Sequence, residues 1–328
     1  MLKKVWAMVL VAVAALCLAG CKDKNKDDKP AERTYVADGS YVAYGYDLNY
    51  GAPQLTWVTV TIKNDKISDV DINTIQSAKV MEGETVTGYA WNAKNKKELG
   101  YEYYMFPASG AKGEDGTLNV EAYKKWLSEN GKKEWFEQVE LLEAKIVADQ
   151  NAEGFTVAED KVTNVTGVTV SASTYVTLAK EAIANAKAGK VVAVRSTMYN
   201  GSAEYVVATA TVDAAGKLSN VVIDERQSKT TDGTFTWNDK TKQELGYDYG
   251  LQRGSAGWNL SVDEYKNWLN ENDKLEWFEE VALIVNVWKN GTPTVNSDNK
   301  FTNVTGCTIN NVGYAEVLEQ LLTYGFKK

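Results

Sequence analysis

The chain has 328 residues, of which 44% are hydrophobic and 24% charged, enough for more than one ordinary core. Its 36 basic residues are outnumbered by 44 acidic ones and no basic run interrupts the balance, which excludes a phosphate-backbone partner and hence nucleic acid. There is no histidine, so Ser-His-Asp and Cys-His nucleophile systems, HExxH zinc sites and His-ligated haem or copper are excluded as well.

At the N-terminus, Lys3 and Lys4 precede an apolar run from Val5 to Leu18, then Ala19, Gly20 and Cys21. A bilayer span takes about 20 apolar residues, so this shorter run reads as an export signal over residues 1–20. LAGC at 18–21 resembles the lipobox of bacterial lipoproteins, and that resemblance implies lipidation of Cys21 and anchoring at the outer face of a cell membrane, in a Gram-positive bacterium. Residues 21–34, CKDKNKDDKPAERT, offer almost nothing large and apolar to bury and predict a charged tether. With Cys21 lipidated, Cys307 is the one thiol left to the mature chain, so no disulfide framework is expected.

From residue 35 the text repeats. WNAKNKKELGYEY at 91–103 answers WNDKTKQELGYDY at 237–249, EAYKKWLSENGKKEWFEQV at 121–139 answers DEYKNWLNENDKLEWFEEV at 263–281, and TNVTG at 163–167 recurs at 302–306. The duplication predicts two tandem domains, 35–189 and 190–328. In each, alternating apolar and polar residues predict a hairpin: LTWVTVTI at 55–62 with ISDVDI at 67–72, and YVVATATV at 205–212 with LSNVVI at 218–223. The expected sheet is antiparallel, twisted and wetted on one face.

Helical text follows. Val120, Tyr123, Trp126 and Leu127, and likewise Val262, Tyr265, Trp268 and Leu269, fall on one helical stripe, and Trp135, Phe136, Val139 and Leu142 on the next. Glu134, Glu137, Glu276, Glu279 and Glu280 stand beside these aromatics at helical spacing, interleaved with lysines, which reads as a solvated face rather than a glycosidase carboxylate pair. A further helix follows each repeated phrase, with Ser171 and Asn310 or Asn311 as expected N-caps, which places Thr169 and Thr308 one or two residues ahead of a helix start. The fold class is therefore α+β, a twisted antiparallel sheet with packed helices in each copy.

A helix N-terminus presents unpaired amides to an anion, and a glycine lets the chain turn tightly beside a hydroxyl. An unaided threonine is a poor nucleophile, and the sequence offers no evident base for either one. TGVTVS at 166–171 and TGCTIN at 305–310 resemble the S/T-G-A-T-x-S/T phrase of FMN-binding domains, the family that includes the NqrC and RnfG subunits of membrane redox pumps. The resemblance covers nearly everything after residue 35, and with the lipobox it extends to flavinylated lipoproteins of extracellular electron transfer.

That resemblance implies that an ApbE-type flavin transferase splits FAD and esterifies FMN through its phosphate to Thr169 and Thr308. Thr166, Gly167, Val168 and Ser171, with Thr305, Gly306, Cys307 and Asn310, would surround the two cofactors, and Trp91, Tyr101, Trp237 and Tyr247 are candidate ring contacts. The implied partners are a membrane quinol or NADH dehydrogenase system as donor and ferric iron or another external acceptor; in lipoproteins of this kind the cleaved signal can also yield a peptide pheromone. This chain departs from the family at Thr163 and Thr302, where Asp is usual, and at Val168 and Cys307, where Ala is usual. Cys307 reads foremost as packing in a small apolar slot. The competing reading is a flavin-free surface module that grips a peptide or polysaccharide through aromatics; the plainest reading of TNVTG is a turn repeated because its surroundings were duplicated.

Overall fold

The computed structural model describes residues 33–328, so the expected signal at 1–20, the lipidation of Cys21 and nearly all of the tether at 21–34 lie outside the described residues. Thr34–Lys328 forms one compact unit that contains both halves of the duplication. Along it run β1 (Gly39–Asn49), β2 (Ala52–Lys63), β3 (Lys66–Glu82) and β4 (Thr85–Trp91), then α1 (Lys96–Leu99), α2 (Val120–Glu129), α3 (Trp135–Asp149), the short β5 (Val157–Ala158) and β6 (Lys161–Val162), and α4 (Ser173–Ala188). The second half runs β7 (Lys190–Tyr199), β8 (Ser202–Val212), β9 (Leu218–Arg226), β10 (Ser228–Thr231), β11 (Thr234–Trp237), α5 (Lys242–Leu245), α6 (Arg253–Ala256), α7 (Val262–Glu271), α8 (Trp277–Asn290) and α9 (Tyr314–Thr323).

The fold is mixed α+β around a curled, mostly antiparallel sheet ordered β1-β2-β3-β4-β8-β7, with β9 also paired to β8. Both predicted hairpins are present. In the first, Asn64 and Asp65 turn the chain with φ of 53° and 59°, as a type I′ connection requires, and Val60 faces Val70 across the ladder. Strands of the two halves meet where Tyr89 of β4 pairs in parallel with Ser202 of β8.

One face of the sheet packs against the helices. Tyr41, Val58, Val60 and Ile72 join Trp135, Val139 and Leu142 of α3 and Ala179 and Ala182 of α4, while Trp277, Ile284, Val317 and Leu318 do the same in the second half, all in one continuous apolar cluster. The opposite face is not simply wetted, contrary to the alternation. Val42 and Leu55 meet Val192, Val194, Tyr205 and Val207 inside the curl, so β8 is buried on both sides over most of its length. Curling puts two stretches of sheet face to face and hides apolar positions that a flat sheet would expose.

The glutamates expected on a solvated face are instead structural at three of five positions: Glu134, Glu276 and Glu280 are almost wholly buried. Glu134 begins α3 as its N-cap and accepts hydrogen bonds from the Trp135 amide at 2.7 Å, the Met105 amide at 3.0 Å and the Tyr123 hydroxyl at 2.5 Å. Glu276 does the same for α8 with the Trp277 and Leu251 amides and the Tyr265 hydroxyl. Glu137 and Glu279 reach back to the cap amides and close a capping box in each half, so EWFE is a helix-start device that also fastens the preceding loop.

Candidate functional site

Four residues of the repeated TNVTG phrase have local structural reasons. Thr163 and Thr302 donate their backbone N–H to Thr156 and Thr294 carbonyls, each at 2.9 Å. Asn164 and Asn303 accept from the Thr156 and Thr294 amides, also at 2.9 Å, and donate onward to the Gly154 and Thr292 carbonyls. Val304 is buried and Val165 half-buried against the main cluster. Gly167 and Gly306 have φ of +91° and +85°, which suits the third position of a tight turn closed by Val168 N–H on Val165 O and Cys307 N–H on Val304 O. A Cβ on Gly306 would also come within 3.3 Å of Leu283. Thr166 and Thr305 are exposed, and so are Thr169 and Thr308 beyond the turn.

The helix starts lie farther away than the sequence suggests. α4 begins at Ser173 and α9 at Tyr314, four and six positions after Thr169 and Thr308. Ser171 is not the cap of α4: the cap residue is Ala172, without a side-chain bond, and the Ser173 hydroxyl is tied to Asp160. Neither Asn310 nor Asn311 is the cap of α9, which is Gly313 without a side-chain bond, although Asn311, two residues earlier, accepts from the Ala315 amide at 3.1 Å and from Gly313. Ser171 and Asn310 make bridges to Lys161 and Lys300 instead.

What meets each threonine is a side chain from the start of the preceding long helix. Thr308 donates its hydroxyl to Glu280 Oε1 at 2.7 Å, and the amides of Thr308 and Ile309 donate to Glu280 Oε2 at 2.5 and 2.9 Å. At the corresponding place, Gln138 Oε1 accepts from the Thr169 amide at 2.7 Å, the Thr169 hydroxyl at 3.1 Å and the Val170 amide at 3.1 Å. The Gln138 amide nitrogen donates to Lys133 O at 2.7 Å, which fixes which end of the side chain faces the threonine.

Each threonine lies on the edge of a cleft with matching walls. Thr169, Val170 and Ser171 border a cleft of about 530 Å³ with Lys96, Tyr103, Trp135 and Tyr175. Thr308, Ile309 and Asn310 border one of about 240 Å³ with Lys242, Tyr249, Trp277 and Tyr314. Capping boxes at Asn95–Glu98 and Thr241–Glu244 set the first turns of α1 and α5 and so aim both lysines inward. Lys96 Nζ sits 4.8 Å from the Tyr103 ring centre and 5.2 Å from Trp135, and Lys242 Nζ is 4.8 Å from Tyr249 and 5.2 Å from Trp277. The tryptophan indole then donates to a helix tyrosine: Trp135 to Tyr175 at 3.1 Å, Trp277 to Tyr314 at 3.0 Å.

The two clefts differ in charge. Lys242 pairs with Glu225 at 2.8 Å, and Glu225 also accepts the Tyr314 hydroxyl. Burial works against the Lys242 charge, but Glu225 and Tyr249 hold its pKa above the ordinary lysine value. Burial raises the nearby Glu204 to about 9, with Glu225 adding to the effect. In the first half, the hairpin register puts Thr74 where Glu225 stands and Gln54 where Glu204 stands. There, burial lowers Lys96 to about 8, against the opposing pull of Asp47 and Glu134.

The four aromatics expected to touch a ring lie elsewhere. Trp91 and Trp237 stack on each other with ring centres 6.3 Å apart inside the curl, and the Trp91 indole donates to the Thr197 and Glu204 carbonyls. Tyr101 packs on Phe136 and donates to Glu137 at 3.1 Å; Tyr247 packs on Phe278 and donates to Glu279 at 3.2 Å. None of the four borders either threonine cleft. Val168 is buried and Cys307 half-buried against the main cluster; burial, then Glu280, pushes the Cys307 thiol up to about 12, which fits packing rather than thiolate chemistry.

Among the described residues no helix is long and apolar enough to cross a membrane. No protein-family model, curated protein or solved structure matches the chain.

Proposed function

We propose that this chain is a lipid-anchored extracellular electron carrier with FMN joined by phosphoester to Thr169 and Thr308, one in each of two tandem FMN-binding domains. The observation that carries the reading is the repetition of a whole constellation rather than of a phrase: exposed threonine, glycine turn, buried lysine between two aromatic rings, and a tryptophan tied to a helix tyrosine occur twice at equivalent places. A turn kept only because its surroundings were duplicated gives no reason for a buried lysine to be kept beside it at a desolvation cost.

The residues fit such a group. Flat aromatic walls suit an isoalloxazine ring, and a cation beside them suits a cofactor that bears a phosphate and gains negative charge on reduction. Pockets for ligands of this size run from about 300 to 1,000 Å³. The cleft at Thr169, about 530 Å³, falls inside that range, and the cleft at Thr308, about 240 Å³, falls below it. The roomier fit is therefore at Thr169.

Within that reading, Lys96 and Lys242 supply the positive potential, while Trp135 with Tyr175 and Trp277 with Tyr314 hold the walls at fixed separation. Gln138 and Glu280 hold the two threonines by hydroxyl and amide, so the point of attachment is set before any ring arrives. When bound, FMN supplies electron transfer singly or in pairs, which joins a membrane quinol or NADH dehydrogenase system to ferric iron or another one-electron acceptor. A covalent bond keeps the cofactor at high effective concentration outside the cell, and a tether at 21–34 gives the head reach.

The test is coexpression of the full chain with an ApbE-type flavin transferase, followed by denaturation and intact-mass measurement. Yellow colour that stays on the unfolded chain, with two FMN mass increments, supports the carrier. T169V and T308V should each remove one increment. A colourless chain that retains a peptide or polysaccharide through exposed aromatics favours the surface module instead.

A further inference from the structure

Glu280 and Gln138 occupy the same place at the start of α8 and α3, and they make the same three contacts to the chain beyond the turn. Their chemistry differs. A carboxylate can take the proton of the hydroxyl that donates to it, whereas an amide oxygen cannot do so at any ordinary pH. We infer that Glu280 is the general base for esterification of Thr308, and that Thr169 has no base of its own; the inference rests on the covalent-flavin reading above.

Three observations support the assignment. The Thr308 hydroxyl is closer to its acceptor, at 2.7 Å against 3.1 Å for Thr169, the shortening expected of a charge-assisted bond. Glu280 is 1% exposed, so water does not compete for its oxygens. The Thr308 and Ile309 amides on the other oxygen anchor the carboxylate and keep Oε1 turned to the hydroxyl. Glu280 differs in this from Glu276 and Glu134, which are buried but spend their oxygens on helix and loop amides and on a tyrosine hydroxyl.

The step balances as follows. A bond forms between Thr308 Oγ1 and the FMN-side phosphorus of FAD as the pyrophosphate bond to the AMP side breaks. AMP leaves with the electron pair of that bond, and the Oγ1 proton passes to Glu280. No oxidant or reductant is consumed. Once protonated, Glu280 carries no charge to repel the phosphodiester beside it, and it can donate a hydrogen bond where it previously accepted one.

The consequence is an unequal pair. Thr169 has the roomier cleft, and Thr308 has the activated hydroxyl. The test is to incubate purified full chain with FAD, Mg²⁺ and a flavin transferase, and to follow flavin on the Thr169 and Thr308 peptides separately by mass spectrometry over time. General-base loss is typically worth about 10²–10⁴ in rate. E280Q should slow labelling of Thr308 by at least ~10²-fold and leave the Thr169 peptide, which reports folding in the same molecule, unchanged. Q138E should speed labelling of Thr169, and only in the Q138E variant should that rate rise with pH as the new carboxyl ionises. Equal Thr308 rates in E280Q and the unaltered chain, with Thr169 labelled normally in both, overturn the inference and leave the carrier reading standing. Flavin on neither threonine of the unaltered chain overturns both.

Discussion

Lys242 is ion-paired with Glu225 at 2.8 Å, and Lys96, its counterpart in the first half, has Thr74 at the position Glu225 occupies. Both lysines are more than nine-tenths buried and lie over two rings at the same distances. Removing one or the other should therefore have opposite consequences.

For Lys242, truncation leaves a carboxylate buried at 1% exposure without its cation. Breaking a buried pair in this way typically costs about 3–5 kcal/mol. K242M should lower stability by that order in urea unfolding at pH 7, and a loss under ~1 kcal/mol would show that the Glu225 carboxylate is satisfied by the Tyr314 hydroxyl and its other neighbours without the cation.

For Lys96 the sign runs the other way. Burial depresses it in the folded chain to about 8 from its ordinary 10.5, so the unfolded chain binds more protons between those values. Stability from this group therefore rises as pH climbs from about 8 to 10.5, and the charge costs on the order of 3 kcal/mol at neutral pH. Cation–π attraction to Tyr103 and Trp135 favours the charged form and so works against the depression. K96M should be at least as stable as the unaltered chain at pH 7 and should lose the gain between pH 8 and 10.5. If the two stability curves run parallel through that window, Lys96 is more hydrated than its burial implies.

Glu204 offers a third pH dependence. Burial and Glu225 raise it in the folded chain to about 9, so the folded chain binds more protons than the unfolded between about 4.5 and 9. Its contribution to stability is fully present below 4.5 and is lost as pH rises through that window. E204Q should remove the loss, and the difference in melting temperature between E204Q and the unaltered chain should widen in favour of the variant from pH 5 to pH 9. A constant difference would mean that Glu204 is ionised throughout.

The EWFE devices predict unequal costs within each capping box. E134A strips three hydrogen bonds from a fully buried site, and E276A does likewise; each unsatisfied donor costs about 1–3 kcal/mol, so a loss of ~3 kcal/mol or more is expected. E137A, on the half-buried outer member, should cost about 1 kcal/mol. Similar losses from both would show that the inner carboxylate does not fasten the Met105 loop. The measurement is urea unfolding of each variant.

The hairpins, the long helices and the equivalence of the two halves were legible because each is written in local pattern: alternation at 55–62, a stripe through Tyr123 and Leu127, and near-identical text at 121–139 and 263–281. β1 and β7 have weaker alternation, although Asn200-Gly201 after β7 is itself a hairpin signal. Burial of the second sheet face follows from the curl, which unites β1 and β2 with β7 and β8 across more than a hundred residues and leaves no local trace. The buried glutamates were hidden by a similar ambiguity. Helical spacing among lysines describes a wet face, and only the inward turn of Glu134 and Glu276 just ahead of each helix, and of Glu280 within its first turns, departs from it.

In the candidate site, Thr169, Thr308 and the two turn glycines were legible from the repeated phrase, but their partners were not. Lys96 and Lys242 survive in both copies while their neighbours Lys97 and Gln243 differ, which is a usable signal. Gln138 and Glu280 give the reverse signal, a difference inside an otherwise repeated block. Trp91 and Trp237 misled because repeated aromatics mark a shared core as readily as a shared ligand, and these two stack on each other.

The most direct measurement is site-resolved mass spectrometry of the native protein taken from its own cell envelope, before any added transferase or cofactor. Covalent FMN phosphate is predicted on the peptides that carry Thr169 and Thr308, and it should persist through denaturation. Unmodified hydroxyls at both positions would contradict the account.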